Sequence, residues 1–249
     1  MLLVGLMPTY GRPARLLENA IACFEGQTHE ERRLLICDDG GNFQPQTGDR
    51  WELVAVPDRF PSLPAKYDAM VGMALHRWPE LAGFVVQDDD DVYCPEHYAA
   101  HAKILAEHGW SHPRHVWSSY TGSPLIEPAS GRFHGALALR RESWHRVGGW
   151  LGVMPAEHEL RADFDQRMLM VLAASEPGGY SDYGTTPTYC FRWASTGAGH
   201  CQGLMSTPDN ETWYSRVREP SEELHGPLVP QFDEDTERTL RTIAQELAA

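Results

Sequence analysis

The sequence predicts an α/β fold in which a mixed, mostly parallel central sheet is flanked by helices. Three observations lead to this prediction. Short apolar runs alternate with segments of helical spacing through the first half of the chain. The run FVVQ at 84–87 is apolar on both faces, which is typical of a central strand in a parallel sheet. Finally, 249 residues with 42% hydrophobic side chains and eight tryptophans can bury a large core.

The first strand and the first helix are indicated by apolar residues and two prolines. LLVGLM at 2–7 is a short apolar run that ends at Pro8. Pro13 then opens a segment in which apolar residues recur at helical spacing, namely Leu16, Leu17, Ala20, Ile21 and Phe24. We therefore expect a strand, a loop and a helix in that order.

The same alternation continues to residue 109. Strands are predicted at 34–37, 52–56 and 84–87. A helix is predicted from Pro64, and another over 95–109, where proline opens the segment and glycine ends it. Parallel strands joined by covering helices account for this order most simply.

Beyond residue 110 the alternation is less regular. Strands of a mixed sheet are predicted at 116–120, 131–141 and 188–193, and a helix at 162–174. A tail rich in Gly, Pro and polar residues follows, and we predict that 204–249 forms a Pro-rich loop and a C-terminal helix.

Charge and cysteine content narrow the class of protein. The 21 basic and 35 acidic residues give a formal charge of −14, which argues against a nucleic acid partner because it opposes contact with a phosphate backbone. Five cysteines, with no C-x-x-C spacing, are expected to be reduced thiols. Neither a leader sequence nor an apolar run of membrane-spanning length is evident, so we expect a cytoplasmic protein without a membrane span.

Four consecutive aspartates, Asp88–Asp91, follow the predicted strand at 84–87. The carboxyl end of a central strand is where open α/β sheets bind ligands. A divalent cation would relieve the repulsion among these carboxylates, and oxygen ligands suit Mg²⁺ or Mn²⁺. If the strand geometry continues, Asp88 and Asp90 face one side and Asp89 and Asp91 the other. A solvated acidic turn that caps the helix near Pro95 is the alternative.

Four segments, in this order, carry a resemblance to a known family. They are MPTYGRP at 7–13, LLICDDGG at 34–41, LPAKYDAM at 63–70 and VVQDDDDVYCP at 85–95. The chain resembles GT-A nucleotide-sugar glycosyltransferases, and is similar to the large inverting glycosyltransferase family 2. Gly11 replaces an asparagine of the family pattern, and Gly41 replaces a serine. The resemblance implies a GT-A, Rossmann-like fold.

The resemblance also implies roles for individual residues. Those implied in donor binding are Pro8, Tyr10, Arg12, Asp38, Asp39, Lys66, Asp68, Asp88 and Asp89. Asp90 is implied as the main ligand of Mn²⁺ or Mg²⁺, with Asp91 and His200 as further ligands. A register shifted by one residue, with Asp89 and Asp91 as the pair, stays open.

The second half of the resemblance concerns the acceptor. Asp163 matches the general base of the family, although Ala162 replaces the glutamate before it, so Asp165, Glu159 and Glu157 are alternatives. Trp150 and Trp193 are the tryptophans expected to bind the acceptor. The implied catalytic domain is 1–203, with a nucleotide-binding half at 1–109 and an acceptor half at 110–203.

The function implied is transfer of a sugar from a nucleoside-diphosphate sugar, a UDP-sugar being favoured, to a glycan or other hydroxyl acceptor, with inversion. Two other classes are open. A nucleotidyltransferase or pyrophosphate-cleaving enzyme would use the same acidic strand end and metal without the acceptor base. A non-catalytic protein that binds a cation or nucleotide would tolerate replacement of Asp90.

Overall fold

A computed structural model describes residues 1–118, 125–129, 132–154, 164–181 and 187–191. It confirms the predicted α/β fold with a mostly parallel central sheet flanked by helices. The strands are β1 (Leu3–Thr9), β2 (Arg32–Asp38), β3 (Gln46–Thr47), β4 (Trp51–Ala55), β5 (Gly83–Val86), β6 (Val92–Tyr93), β7 (Trp110–His112), β8 (His115–Ser118), β9 (Leu125–Pro128), β10 (Ala138–Arg140), β11 (Gly178–Tyr180) and β12 (Tyr189–Phe191).

The helices complete the element order. They are α1 (Ala14–Glu25), α2 (Leu63–Arg77), α3 (His97–Leu105), α4 (Arg141–Val147), α5 (Gly149–Gly152) and α6 (Phe164–Ser175), with a 3-10 helix at His134–Ala136. The Ser62 side chain caps α2 by accepting a hydrogen bond from the Ala65 N–H at 3.3 Å. Among the described residues, no helix combines the length and apolar character that crossing a bilayer requires.

The described strands form a large sheet in the order β11-β7-β10-β5-β1-β2-β4-β3. The pairs β5–β1, β1–β2 and β2–β4 are parallel, whereas β10 runs antiparallel to both β5 and β7. A smaller sheet has the order β6-β12-β8-β9. Because β1, β2 and β5 are parallel neighbours, their carboxyl ends open at one edge of the sheet.

Side chains alternate across the central strands into two apolar cores. On one face, Leu3 and Met7 of β1 pack with α1 and α3 residues such as Phe24 and Tyr98. On the other face, Val4 and Leu6 pack with residues of α2 and α6. Burying a large apolar side chain contributes about 1.5–3 kcal/mol. These two layers therefore fix the strands whose ends build the site.

The predicted strand at 131–141 is wrong in its first part. Within the described residues of that segment, the backbone turns through a 3-10 helix and only Ala138–Arg140 is a strand. Phe133 has a φ of 64°, a left-handed conformation that interrupts an extended chain. The predicted helix at 95–109 is shorter and spans His97–Leu105. The two-residue strands β3 and β6 were missed because they are too short to show a period.

Candidate active site at the carboxyl ends of β1, β2 and β5

Three loops meet at the edge of the sheet because three parallel strands end there. Thr9 pairs with Asp38 across β1 and β2, and Leu6 pairs with Val86 across β1 and β5. The loops after β1 and β2 touch, because a Cβ on Gly40 would lie 2.9 Å from the Gly11 amide nitrogen. The predicted donor-binding residues of the segments at 7–13, 34–41 and 85–95 are thus brought to one edge of the sheet.

Asp38 organises its own loop. Its Oδ1 accepts a hydrogen bond from the Gly40 N–H at 2.8 Å. Its Oδ2 accepts from the N–H groups of Asn42 and Phe43, at 2.8 and 2.9 Å. The side chain is fully buried, and Gly41 supplies the positive φ of 69° that the loop requires. Both carboxylate oxygens are therefore engaged in holding the loop after β2.

Asp39 and Lys66 form a buried ion pair between the ends of β1 and β2. Lys66 Nζ donates to Asp39 Oδ1 and also, at 2.7 Å, to the Thr9 carbonyl oxygen. Asp39 Oδ2 accepts a hydrogen bond from the Phe60 N–H at 3.0 Å. The ammonium group of Lys66, one of the predicted donor-binding residues, is thus already paired with a carboxylate of the protein.

Arg12 bridges two of the four consecutive aspartates. Its Nε lies 3.2 Å from Asp89 Oδ1, and its Nη2 lies 2.9 Å from Asp90 Oδ2. Burial acts to lower the pKa of Arg12, but the charges of Asp90, Asp89 and Asp88 outweigh it and the pKa is raised. The end of β5 therefore stabilises a positive charge.

The strand geometry on which the alternation of the aspartates depended does not continue past β5, because the chain bends. β5 ends at Val86, and the backbone bends at 89–91 before β6 begins. The neighbours Asp89 and Asp90 consequently contact the same guanidinium, although consecutive residues of a strand point to opposite sides. The pairing of Asp88 with Asp90 on one side does not follow from strand geometry.

Asp88 is positioned by Tyr93 and Gly135. The Asp88 N–H donates to the Tyr93 hydroxyl oxygen at 2.6 Å, and this hydroxyl donates to the Gly135 carbonyl oxygen at 3.1 Å. A Cβ on Gly135 would lie only 2.3 Å from Asp88 Oδ2. The half-buried carboxylate therefore reaches its place because residue 135 has no side chain.

Asp91 is directed inward. Its Oδ2 accepts a hydrogen bond from the hydroxyl of Tyr189, a fully buried residue of β12. Burial, followed by the charge of Asp91, raises the pKa of Tyr189. The four aspartates thus have different surroundings: Asp89 and Asp90 hold Arg12, whereas Asp91 is fixed by the smaller sheet.

Asp68 holds the turn between α4 and α5. Its Oδ1 accepts from Trp144 Nε1 at 3.0 Å and from the Trp150 N–H at 2.9 Å, while its Oδ2 accepts from the Leu151 N–H at 2.9 Å. Gly149, with a φ of 77°, lets the backbone approach this carboxylate closely. In this structure Asp68 therefore connects α2 to the predicted acceptor half.

Trp150 has no exposed face. Its ring is fully buried, stacks on Tyr67 with centroids 4.9 Å apart, and donates from Nε1 to His134 Nε2 at 2.8 Å. Burial lowers the pKa of His134 to about 3, consistent with a neutral ring that accepts this hydrogen bond. Direct stacking on an acceptor sugar would require an exposed ring, whereas here the Trp150 ring packs against Tyr67 and His134 in the core.

Tyr10 is the exposed aromatic residue of the site. It follows β1, is 49% exposed, and has the Arg59 guanidinium 3.9 Å from its ring centroid. Arg59 also donates from Nη1 to the Tyr10 hydroxyl at 3.2 Å. Pro8 lies half-buried within β1 beside these residues. An aromatic ring and a cation thus lie at the rim.

Several predicted residues lie outside the described part of the chain. They are Asp163, its alternatives Glu157 and Glu159, the metal ligand His200, the acceptor residue Trp193 and the whole segment 204–249. The backbone of Asp165 lies in α6, which begins at Phe164. The base, the histidine ligand and the second acceptor tryptophan stay predictions.

Sequence reasoning missed Arg59, Tyr93, Gly135 and Tyr189. Tyr189 lies 98 residues from the aspartate that it contacts, and no local pattern connects the two. Tyr93 had a usable signal, because an aromatic residue two positions after an acidic run can fold back onto that run. Gly135 had another, since an isolated glycine within a strand-like run often marks a close approach.

The described residues include no group of three or more His, Cys, Asp or Glu side chains arranged to hold a metal ion. A closed cage is not required, because Mg²⁺ commonly binds one or two carboxylates together with substrate phosphates and waters. Asp89 and Asp90 already bind the positive charge of the Arg12 guanidinium, which occupies the position that a metal ion could take. The oxygen donors at the end of β5 therefore fit a divalent ion of this type.

Comparisons with known proteins agree with the fold. No family model and no curated protein matches the sequence. Among solved structures, S. aureus TarS 1-349 has a TM-score of 0.58 at 12% identity, over 77% of this chain and 60% of that chain. The same fragment in complex with UDP-GlcNAc has a TM-score of 0.60 at 13% identity, over 80% of this chain and 60% of that chain.

The TarS fragment in complex with UDP matches with a TM-score of 0.58 at 13% identity, over 78% of this chain and 61% of that chain. This chain thus spans about 60% of the length of these TarS fragments. At such identities the likeness establishes the fold alone. It confirms the GT-A-like architecture, while membership of the particular inverting family stays a prediction.

Proposed function

We propose that this protein is a glycosyltransferase that transfers a sugar from a nucleoside-diphosphate sugar, a UDP-sugar being favoured, to a hydroxyl acceptor. One observation carries the proposal. Asp89 and Asp90 hold the guanidinium of Arg12 at the carboxyl end of a central strand, and Arg12 belongs to the same loop as Tyr10. A similar fold in S. aureus TarS is known in complex with UDP-GlcNAc, which supports the same ligand class here.

Different residues of this chain would contact the nucleoside, hold the loops and bind the metal ion. Tyr10 and Arg59 at the rim offer a ring and a cation to the nucleoside. Asp38 and the Asp39–Lys66 pair keep the loops after β1 and β2 in place. Asp90 and Asp88 would hold Mn²⁺ or Mg²⁺, with Asp91 and His200 as further candidate ligands. When bound, the ion would neutralise the charge that develops on the leaving diphosphate.

The base and the stereochemistry are also part of the proposal. Asp163 would accept the proton of the acceptor hydroxyl as that hydroxyl attacks the anomeric carbon from the face opposite the diphosphate, which inverts the centre. A general base contributes about 10²–10⁴-fold to the rate. Asp163→Asn should therefore lose turnover by that factor and keep UDP binding. Loss in Asp165→Asn alone would instead identify Asp165 as the base.

The proposal is tested by thermal melting with UDP, GDP, CDP and dTDP, with and without Mn²⁺, on the wild type and Asp90→Asn. A Mn²⁺-dependent rise in Tm with one nucleotide, absent from the variant, is expected. No shift with any nucleotide would overturn the proposal. In a separate incubation with the sugar nucleotide, release of nucleoside monophosphate and sugar 1-phosphate without transfer to any acceptor would favour the pyrophosphate-cleaving alternative.

A further inference from the structure

We infer that Arg12 is a displaceable counter-ion of the metal site: its guanidinium neutralises Asp89 and Asp90 in the nucleotide-free protein and leaves when a divalent cation binds. The inference rests on the proposed function, since it concerns how the same site is filled. It assigns to Arg12 a regulatory role in metal binding that differs from a direct contact with the donor.

The first support is the way in which the guanidinium is shared. Nε approaches one carboxylate at 3.2 Å, and Nη2 approaches the other at 2.9 Å. Arg12 therefore bridges two anions instead of forming a forked contact with one of them. The single guanidinium charge of Arg12 is thus shared between two carboxylates, and Asp88 and Asp91 adjoin them in the chain.

The second support is competition for the same oxygens. A divalent ion binds carboxylate oxygens at about 2.0–2.1 Å. An ion on Asp90 Oδ2 would thus stand within a few ångströms of the guanidinium nitrogen that contacts this atom, and the two positive charges would repel strongly in this buried place. The guanidinium and the ion cannot both occupy the position.

The third support is that Arg12 has a route out. Its neighbours Tyr10, Gly11 and Pro13 are exposed, and the Arg12 side chain itself is 17% exposed. Gly11 has a φ of 65°, and no atom of the described residues lies within 4 Å of the position that a Cβ would take. The side chain can therefore turn outward with its loop, without opening either apolar core.

Lys66 provides the contrast within the same site. Its side chain is 4% exposed, and its ammonium group is held by both Asp39 and the Thr9 carbonyl oxygen. Lys66 also projects from α2, which is packed on the sheet. A buried lysine on a packed helix is fixed, whereas an arginine on an exposed loop can be exchanged for another cation.

The test measures Mn²⁺ binding without nucleotide, by electron paramagnetic resonance of free Mn²⁺, for the wild type and Arg12→Gln. We expect Arg12→Gln to bind Mn²⁺ at least tenfold more tightly, since the competing charge is gone. The matched control is Arg77→Gln, which breaks a partly exposed ion pair between Arg77 of α2 and Glu52 of β4, at 2.7 and 2.8 Å. This variant should leave the Mn²⁺ affinity unchanged.

Arg12→Gln binding Mn²⁺ as the wild type does, or more weakly, would overturn the inference. UDP binding that needs Arg12 and no Mn²⁺ would also overturn it, because the arginine would then replace the metal. Should Arg12→Gln fold poorly, Arg12→Lys provides a second measurement: one ammonium group bridges two carboxylates less well, so an intermediate Mn²⁺ affinity is expected, and wild-type affinity would count against displacement.

The outcome is separable from that of the proposed function. If Mn²⁺ binding tightens in Arg12→Gln but no nucleotide binds to either protein, the counter-ion role stands and the glycosyltransferase proposal fails. If UDP binds to the wild type with Mn²⁺ and Arg12→Gln changes nothing, the function stands and the counter-ion role fails.

Discussion

The ends of β2 and β5 both carry consecutive aspartates, but they satisfy them differently. At β2, Asp38 accepts hydrogen bonds from its own loop backbone and Asp39 pairs with a buried lysine. At β5, Asp89 and Asp90 pair with an arginine from an exposed loop. A carboxylate held by its own backbone has a structural role, whereas one held by a side chain that can move is available to a ligand.

The largest effect is expected when the buried pair at β2 is broken. Asp39→Asn or Lys66→Met alone should lower the free energy of unfolding by about 3–5 kcal/mol, because each leaves a buried charge without its counter-ion. The double variant should cost less than the sum of the two. Urea denaturation measures all three, with exposed Asp58→Asn as a control expected within about 0.5 kcal/mol of the wild type. A cost near zero for Asp39→Asn would contradict the structural role of this end.

The second prediction contrasts Asp38 with Asp90 directly. Asp38→Asn should lower the free energy of unfolding by about 1.5–3 kcal/mol, because a charged acceptor of three backbone N–H groups is lost. Asp90→Asn should change the free energy of unfolding less, since Arg12 keeps its ion pair with Asp89. It should nevertheless abolish the Mn²⁺-dependent rise in Tm with nucleotide. Hydrogen exchange at the amides of residues 40, 42 and 43 measures how well the loop stays closed around Asp38. If Asp38→Asn lost only nucleotide binding at full stability, the contrast would be wrong.

A third substitution acts on the β5 end without touching a carboxylate. In Gly135→Ala, the new Cβ would lie 2.3 Å from Asp88 Oδ2, so the aspartate must shift. We expect a loss of about 1–3 kcal/mol in stability together with weaker Mn²⁺-dependent nucleotide binding. Gly72→Ala, at an exposed position of α2 where a Cβ would meet no described residue within 4 Å, is the control and should stabilise by about 0.5–1 kcal/mol. Equal nucleotide affinity in the two variants would remove Gly135 from the site.

The smallest effect near neutral pH is a pH dependence that arises from His97, behind the β5 end, and grows on acidification. Burial lowers the pKa of His97 to about 3. The His97 ring packs on Tyr93, whose hydroxyl oxygen accepts a hydrogen bond from the Asp88 N–H. The unfolded state, with a histidine pKa of about 6.5, binds the proton more readily, so stability is complete above pH 6.5 and falls as the pH drops toward 3. His97→Gln should reduce the slope by about 1.4 kcal/mol per pH unit between pH 5.5 and 4. An unchanged slope in denaturation at several pH values would contradict this assignment.

The elements that were predicted well are those with local signals. β1, β2 and β5 show continuous apolar runs, and α2 carries a proline at its start and apolar residues at helical spacing. The positions of the aspartates after β2 and β5 followed directly. Their partners could not be predicted in the same way, because Arg12 lies 77 residues from Asp89 and Tyr189 lies 98 residues from Asp91.

The sequence by itself determined the α/β class, the order of the first strands and helices, and the presence of acidic groups at two strand ends. These depend on residue type and short-range periodicity, which act within a few positions of the chain. The tertiary structure decided which aspartates are bound by their own loop, which hold Arg12, and that Trp150 is buried. The physical reason is that hydrogen bonds and ion pairs form between groups brought together by sheet pairing, and residue spacing along the chain does not encode these distances.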